Sequence, residues 1–268
     1  FRDRAADIPV TRHRDEAKLR TARRLEELAL NAAGAPHSLV YDGWLLGYRP
    51  GPTKRLRCVN PFYASTHALE QKIEYCLAFY AGARLPAIFR LLPFAQPPEL
   101  DAVLERAGWS AFERTLVLHA ALTGRPPPPV PDVEVEILEP PGWEPLAAPL
   151  LKIDAEALPQ FVARAANHPL PHAGALLRRD GEVVACGLAK LEDGHAGIFA
   201  VHTAEAWRGR GFGRAVVAAL LGEARRRGAS TAYLQVTADN APALALYRRF
   251  GFTVSHEYWY RAREGERH

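Results

Sequence analysis

The alternation of apolar and polar positions is clearest in LLRRDGEVVACGLAKL, where two strand-like stretches flank Asp180-Gly181. An Asp-Gly pair between alternating runs predicts a tight hairpin, because both turn residues must take positive φ. GIFAVHT then reads as a short buried strand, and Gly213 to Arg227 as a helix stopped by Gly228. TAYLQVT predicts a strand, PALALYRRFGF a short helix ending at Gly251, and HEYWYRAR a last strand. The first half repeats this order. LVYDGWLLGYR carries the same turn pair at Asp42-Gly43, LRCVN predicts a strand and HALEQKIEYCLAFYAG a helix. PAIFRLL, PELDAVLERAGW and ERTLVLHAAL then supply a strand, a short helix and a strand.

Two halves with one element order, at a spacing that drifts slightly, indicate a divergent duplication rather than a solenoid, whose periods are far shorter. Between them lies GRPPPPVP, Gly124 to Pro131. Polyproline cannot enter a helix interior or a central strand, and acts as a semi-rigid spacer. The expected division is residues 1–123, a linker at 124–131 and a second domain at 132–268.

Composition narrows the class. The 268 residues are enough for about two domains, and 48% apolar with 24% charged residues describes a folded chain. No apolar run approaches the roughly 20 residues of a membrane-spanning helix. The opening FRDRAADIPVTRHRDEAKLR has no apolar stretch behind its charges, so neither a secretory signal nor a lipid anchor is expected, and the expected location is cytoplasmic. Methionine is absent, which predicts a sequence trimmed at its start or short of its methionine positions. Cys58, Cys76 and Cys186 are too few and too scattered for a disulfide framework or a zinc site, and are expected to be reduced and buried. The net charge of +4 raises nucleic acid as a partner. The one tight basic run, Arg225 to Arg227, ends the predicted helix, where positive charge complements the dipole. No aromatic interleaving accompanies it, so no nucleic-acid partner is expected. His168 and His172 in HPLPH are separated by prolines that prevent a ligating helix, so no metal is expected.

The candidate chemistry lies in RGRGFG, Arg208 to Gly213. A strand, a glycine-rich turn and a helix start together aim several backbone N–H groups and the positive end of the helix dipole at one point, which suits an anion. Glycine removes the Cβ atoms that would hold a phosphate off the backbone, and Arg208, Arg210 and Arg214 add charge-assisted donors. The first half has ASTHAL there, without glycine or arginine, so the shared architecture does not demand the loop. A Walker loop needs a lysine that is missing here, the nearest being Lys190 before the strand. A dinucleotide fingerprint needs GxGxxG and an acidic residue after the next strand, where this chain has GxGxG and Gln235.

Arg208-x-x-Gly211-x-Gly213, followed by YLQV, Asn240 and ALALYRRFGF, resembles the GNAT superfamily of acyl-CoA-dependent N-acetyltransferases. The resemblance runs from about Leu176 to Phe252 and is topological before the linker. It is nearest to the ribosomal-protein alanine acetyltransferase branch, and the tandem arrangement is similar to mycothiol synthase. It implies an α/β tandem GNAT fold with a mixed, mostly antiparallel sheet flanked by helices in each half, the first copy degenerate. It also implies acetyl-CoA as cosubstrate and acetyl transfer by direct attack of an amine, either a peptide amino terminus or a small molecule. A homodimer is compatible with it. Val201, His202 and Thr203 would then hold the pantetheine, and Arg208, Gly209, Arg210, Gly211, Phe212, Gly213 and Arg214 the pyrophosphate. Asn240 would contact the coenzyme or cap a helix ahead of Pro242, and both roles are compatible. Tyr247 would protonate the departing thiolate, a role that Leu104 cannot take in the first half. Two departures stand out. Gln235 occupies the position of that branch's general base, leaving Glu205 or His202 to act through water. Thr203-Ala204-Glu205 replaces the family's V-x-P. A non-catalytic acyl-CoA sensor is the alternative that Gln235 favours.

Overall fold

A computed structural model describes residues 10–34, 37–49, 53–123 and 133–266, the side chains of 10–14 excepted. The first half forms α1 (Val10–Ala33), β1 (Ser38–Tyr41), β2 (Trp44–Gly47), β3 (Val59–Asn60), α2 (Leu69–Gly82), β4 (Phe89–Leu91), α3 (Leu100–Arg106) and β5 (Ser110–Ala121). The second forms β6 (Glu136–Leu138), α4 (Trp143–Ala147), α5 (Leu158–Ala166), β7 (His172–Arg179), β8 (Glu182–Glu192) and β9 (His195–Thr203), then α6 (Phe212–Arg226), β10 (Thr231–Thr237), α7 (Ala241–Arg248) and β11 (Thr253–Ala262). The repeated order read from the sequence is present. Both Asp-Gly pairs form turns with positive φ at each residue: 42° and 82° at Asp42-Gly43, 52° and 83° at Asp180-Gly181. A third pair, Asp193-Gly194, joins β8 to β9 in the same way. No helix among the described residues is long and apolar enough to cross a membrane. The linker at 124–131 lies outside the described residues.

The chain divides into two compact units that do not follow the expected limits. One comprises Phe1–Leu116 with Ser255–His268, the other Val117–Val254. The first unit's sheet runs β1-β2-β3-β4-β11 and ends on the first part of β5, while the second runs β6-β7-β8-β9-β10 and ends on the last part of β5. Each unit is thus completed by a strand from the other half of the sequence. The division at 123 and 132 is corrected accordingly: alternation along a strand fixes its two faces but not its hydrogen-bonding neighbour.

In the first unit β11 lies antiparallel to β4, with Trp259 opposite Leu91 and Arg261 opposite Phe89. Charged contacts secure it, among them His256 Nε2 with Glu26 Oε1 at 2.9 Å and Trp259 Nε1 donating to Asp101 Oδ1 at 3.1 Å. Its apolar core gathers Trp44, Leu46, Val59, Tyr80, Phe89, Leu100 and Leu104. In the long, charged α1, buried Ala22, Leu25, Leu28, Ala29 and Ala32 form a one-sided apolar stripe at helical spacing.

In the second unit two glycines mark how closely helices approach the two faces of the sheet. A Cβ at Gly187 would lie 2.8 Å from the side chains of Val216 and Leu220 on α6. A Cβ at Gly174 would lie 2.0 Å from the Trp143 ring on α4. In register Ala175 opposes Gly187, so Gly174 and Gly187 open on opposite faces and the sheet is covered on both sides.

Candidate active site

The site is built where β9 parts from β10. The two strands pair in parallel at only three positions: His195 with Thr231, Ala196 with Ala232 and Gly197 with Tyr233. Beyond them β9 continues to Thr203 and β10 to Thr237. Divergence has a local cause. Against β8, Phe199 pairs with Leu188 but His202 with Cys186, so one extra residue is accommodated, and Ala200 takes φ 50°. Such a bulge bends and twists the strand. The backbone donors and acceptors of β9 on the β10 side are thereby released along Val201, His202 and Thr203. The His202 imidazole is shifted toward the neutral form by burial, with Arg208 and Lys152 adding to it.

After Thr203 the chain makes a 3₁₀ turn, Glu205–Trp207, and enters the glycine loop. Gly209 has φ 77° and Gly211 φ 82°, the latter as the residue capping α6. Both occupy the left-handed region, which L side chains enter at a cost. A Cβ at Gly209 would meet no heavy atom within 4 Å, so backbone conformation, not crowding, requires glycine there. Phe212 is buried, stacked at 5.7 Å on Trp207, with the Arg179 guanidinium 5.3 Å from its ring centre. Arg210 lies over Trp207 at 4.7 Å, and Arg208 Nε donates to the Thr203 carbonyl at 3.3 Å. Among the described residues none of Arg208, Arg210 and Arg214 pairs with a carboxylate. By contrast Arg226 and Arg227, at the other end of α6, bind Glu223, and Arg227 also Glu139. One end of the helix is electrostatically settled. The other presents three arginines, two left-handed glycines and a helix start with no acidic partner, an arrangement that fits a polyanion such as a diphosphate.

Leu246 packs beside Gly213, 3.6 Å from where a Cβ would stand, which docks α7 against the start of α6. Asn240 caps α7, its Oδ1 accepting from Ala243 N at 3.2 Å, and remains exposed. Tyr247 is 8% exposed, edge-on to Phe252, and burial pushes its hydroxyl up to about 12. It is a protonated phenol throughout the neutral range. Gln235 and Tyr233 alternate onto one face of β10, the face that also carries Phe199, whose ring is 6.1 Å from that of Tyr233. Glu205 is exposed in the 3₁₀ turn.

Residues 139–252 match the acetyltransferase (GNAT) family model. This segment is a GNAT domain. It is 31% identical over 86 residues to the ribosomal protein bS18-alanine N-acetyltransferase of Escherichia coli (strain K12), covering 31% of this chain and 58% of that protein. Over 61 residues it is 43% identical to a mycothiol acetyltransferase of Corynebacterium glutamicum (strain R), covering 23% of this chain and 21% of that one. The chain thus matches less than two thirds of either relative. The fold of nearly the whole chain matches a GCN5-related N-acetyltransferase from Kribbella flavida, with a TM-score of 0.67 at 18% identity over 91% of this chain and 96% of that one.

In the first unit the matching loop is filled from within. The Asp42 carboxylate accepts from the backbone N–H of Thr66 and of His67 at 2.9–3.0 Å and from the Thr66 hydroxyl at 2.8 Å. The N–H of His67 first, then Thr66 and Lys72, hold it well below the usual carboxylate range. Fully buried Lys72 bonds the Asp42 carbonyl and the Ser65 hydroxyl, with its ammonium 4.0 Å from the Trp44 ring centre. Outside the GNAT domain's cleft, Cys58, Cys76 and Cys186 are all free and buried, and burial raises them to about 11, 12 and 12. His168 and His172 stand edge to face at 5.6 Å, and no group of three or more metal-ligating side chains occurs among the described residues.

Proposed function

We propose that the protein is an acetyl-CoA-dependent N-acetyltransferase whose second unit binds the coenzyme and acetylates an amine of low pKa. The observation that carries this reading is the loop from Arg208 to Arg214, with its left-handed glycines and carboxylate-free arginines, at the mouth of the β9–β10 opening. Those residues would hold the pyrophosphate, and the released backbone of Val201, His202 and Thr203 would hold the pantetheine. The exposed Asn240 amide keeps its N–H donors for the coenzyme while its oxygen caps α7. The coenzyme supplies the activated acetyl group. Backbone N–H groups along β9 would stabilise charge developing on the thioester oxygen, and the buried phenol of Tyr247 would donate to sulfur. The first unit would bind no coenzyme, because Asp42 already accepts from its loop and Leu104 stands in place of Tyr247.

Gln235 bears on the acceptor, since an amide cannot take a proton as a carboxylate does. At pH 7.4 an alkyl amine of pKa near 10.4 is neutral about once in a thousand, whereas an α-amine near 7.8 is neutral roughly a quarter of the time. A peptide amino terminus, or an amine beside an electron-withdrawing group, suits this site. The test is transfer from acetyl-CoA to a panel of peptides and alkyl amines, followed by mass and thiol release. Low-pKa amines should be preferred at a rate that rises with pH, and Gln235→Glu should move the rise to lower pH. Efficient acetylation of alkyl amines at pH 7, with a flat profile and no effect of Gln235→Glu, would refute the acceptor assignment. Coenzyme binding without transfer to any amine would make the protein an acyl-CoA sensor instead.

A further inference from the structure

One row of residues crosses the second unit's sheet in register, beginning where β9 and β10 part. Tyr233 on β10 opposes Gly197 on β9, Gly197 opposes Lys190 on β8, and Lys190 opposes His172 on β7. Residues opposed in this way project from the same face of a sheet. Gly197 leaves a gap in the row, and Tyr233 fills it: a Cβ at Gly197 would lie 2.6 Å from the Tyr233 hydroxyl and 2.5 Å from the Phe199 ring. The phenol therefore leans across β9 toward Lys190. This face is covered by α4, whose Glu144 is 2% exposed and interacts electrostatically with both His172 and Lys190. His172 is 4% exposed. Its Nδ1 faces the Leu170 carbonyl at 2.9 Å, which places the proton on that nitrogen. Its Nε2, and Oε2 of Glu144, are buried without a hydrogen-bond partner. A carboxylate, an imidazole and a lysine amine, none of them used by the coenzyme loop, thus lie behind a tyrosine at the apex of the cleft.

We propose that Lys190 is the proton acceptor of the acetyl transfer, reached from the cleft through the Tyr233 hydroxyl and held by Glu144 and His172. The proposal rests on the transferase reading given above. In the step, an N–H bond of the acceptor's ammonium breaks and its electron pair stays on nitrogen for attack on the thioester carbon. The proton passes to the Tyr233 oxygen as Tyr233 gives its own to the neutral Lys190 amine. When the new C–N bond has formed and C–S has broken, Tyr247 gives its proton to sulfur, and the second proton lost from nitrogen passes through water to the Tyr247 oxygen and restores the phenol. Lys190 returns its proton to water before the next cycle. Burial lowers Lys190 to about 8, with Glu144 opposing the shift. A base of that strength takes a proton from an α-ammonium near 7.8 with little bias, but from an alkyl ammonium near 10.4 only against a factor of a few hundred. The relay therefore favours the same acceptors that the absence of a carboxylate at Gln235 favours.

The chain has five lysines, so ¹³C labelling of lysine Cε gives a titration in which Lys190 is assigned by its loss in Lys190→Met. It should titrate near pH 8, and lower still in Glu144→Gln, because removing a negative charge disfavours the ammonium. The rates are measured with acetyl-CoA and a short peptide bearing a free amino-terminal alanine. The rising limb of kcat/KM should move to lower pH in Glu144→Gln, in step with the Lys190 titration. Lys190→Met and Lys190→Arg should both lose about a hundredfold at pH 8, with unchanged melting and acetyl-CoA affinity. Arginine preserves charge and length but cannot be deprotonated, so a purely structural role would be rescued by it. An ordinary titration of Lys190 near 10.4, a wild-type rate in Lys190→Arg, or a Glu144→Gln profile that stays put while the lysine moves would each overturn the proposal alone. A wild-type protein that binds acetyl-CoA yet modifies neither the peptide nor any panel amine would overturn the transferase reading and the proposal together.

Discussion

Replacing Gly209 by alanine isolates the backbone geometry of the loop. No heavy atom lies within 4 Å of the added methyl, so the protein itself contributes no clash. What remains is the cost of holding an L residue at φ 77°, about 1–2 kcal/mol. The loop is exposed, and α6 is anchored behind it by buried Phe212, Val216, Val217, Leu220 and Leu221. The strain can therefore relax by turning the loop out of the left-handed region without disturbing the helix. If that conformation is the one that binds the pyrophosphate, the same energy is charged to binding, and acetyl-CoA affinity should fall about 5- to 30-fold. Asparagine tolerates the left-handed region better, so Gly209→Asn should lose less than Gly209→Ala. Arg208→Ala should also weaken binding, while His67→Ala, in the first unit's loop, should leave it unchanged. Calorimetric titration with acetyl-CoA, beside thermal melts without it, separates binding from folding. Full affinity in both Gly209→Ala and Arg208→Ala, with melting unaltered, would refute the pyrophosphate assignment.

Tyr247→Phe should lower kcat about a hundredfold while leaving the calorimetric acetyl-CoA affinity intact, and because burial holds the phenol near 12 the wild-type rate should show no Tyr247-dependent fall below pH 10. Asp42 has a folded pKa below its unfolded value of about 3.9. Its contribution is present above that pH and fades as pH falls through the lower folded value, so acid melts of Asp42→Asn should lose less stability below pH 4 than those of the wild type. Gly174→Ala would press a methyl onto the Trp143 ring and should cost about 1–3 kcal/mol in denaturant unfolding, whereas Gly181→Ala, with open space around it, should cost only its turn's backbone term.

Features set by a few consecutive residues were legible in the sequence. The Asp-Gly turns, the stop at Gly228, the strand, loop and helix around RGRGFG and the cap at Asn240 all follow from φ preference, side-chain reach and periodicity, which act within about a turn of chain. The order of elements, which recurs in the two halves, followed from these. LRCVN shows the limit: only Val59–Asn60 enters the sheet, while Leu56 ends a 3₁₀ turn at Lys54–Leu56 and Arg57 and Cys58 form a bend. Strand partnership was decided by the tertiary structure, because backbone hydrogen bonds do not record which sequence half supplies them; β11 completes the first unit and the end of β5 the second. The same holds for the electrostatics. Lys190 looked like an ordinary strand lysine, and Asp42 like an ordinary turn residue. Only folding places the first beside Glu144 in a water-poor layer and the second against the N–H groups of Thr66 and His67. Charge is read from sequence, but its pKa depends on burial and on neighbours that meet only across the sheet.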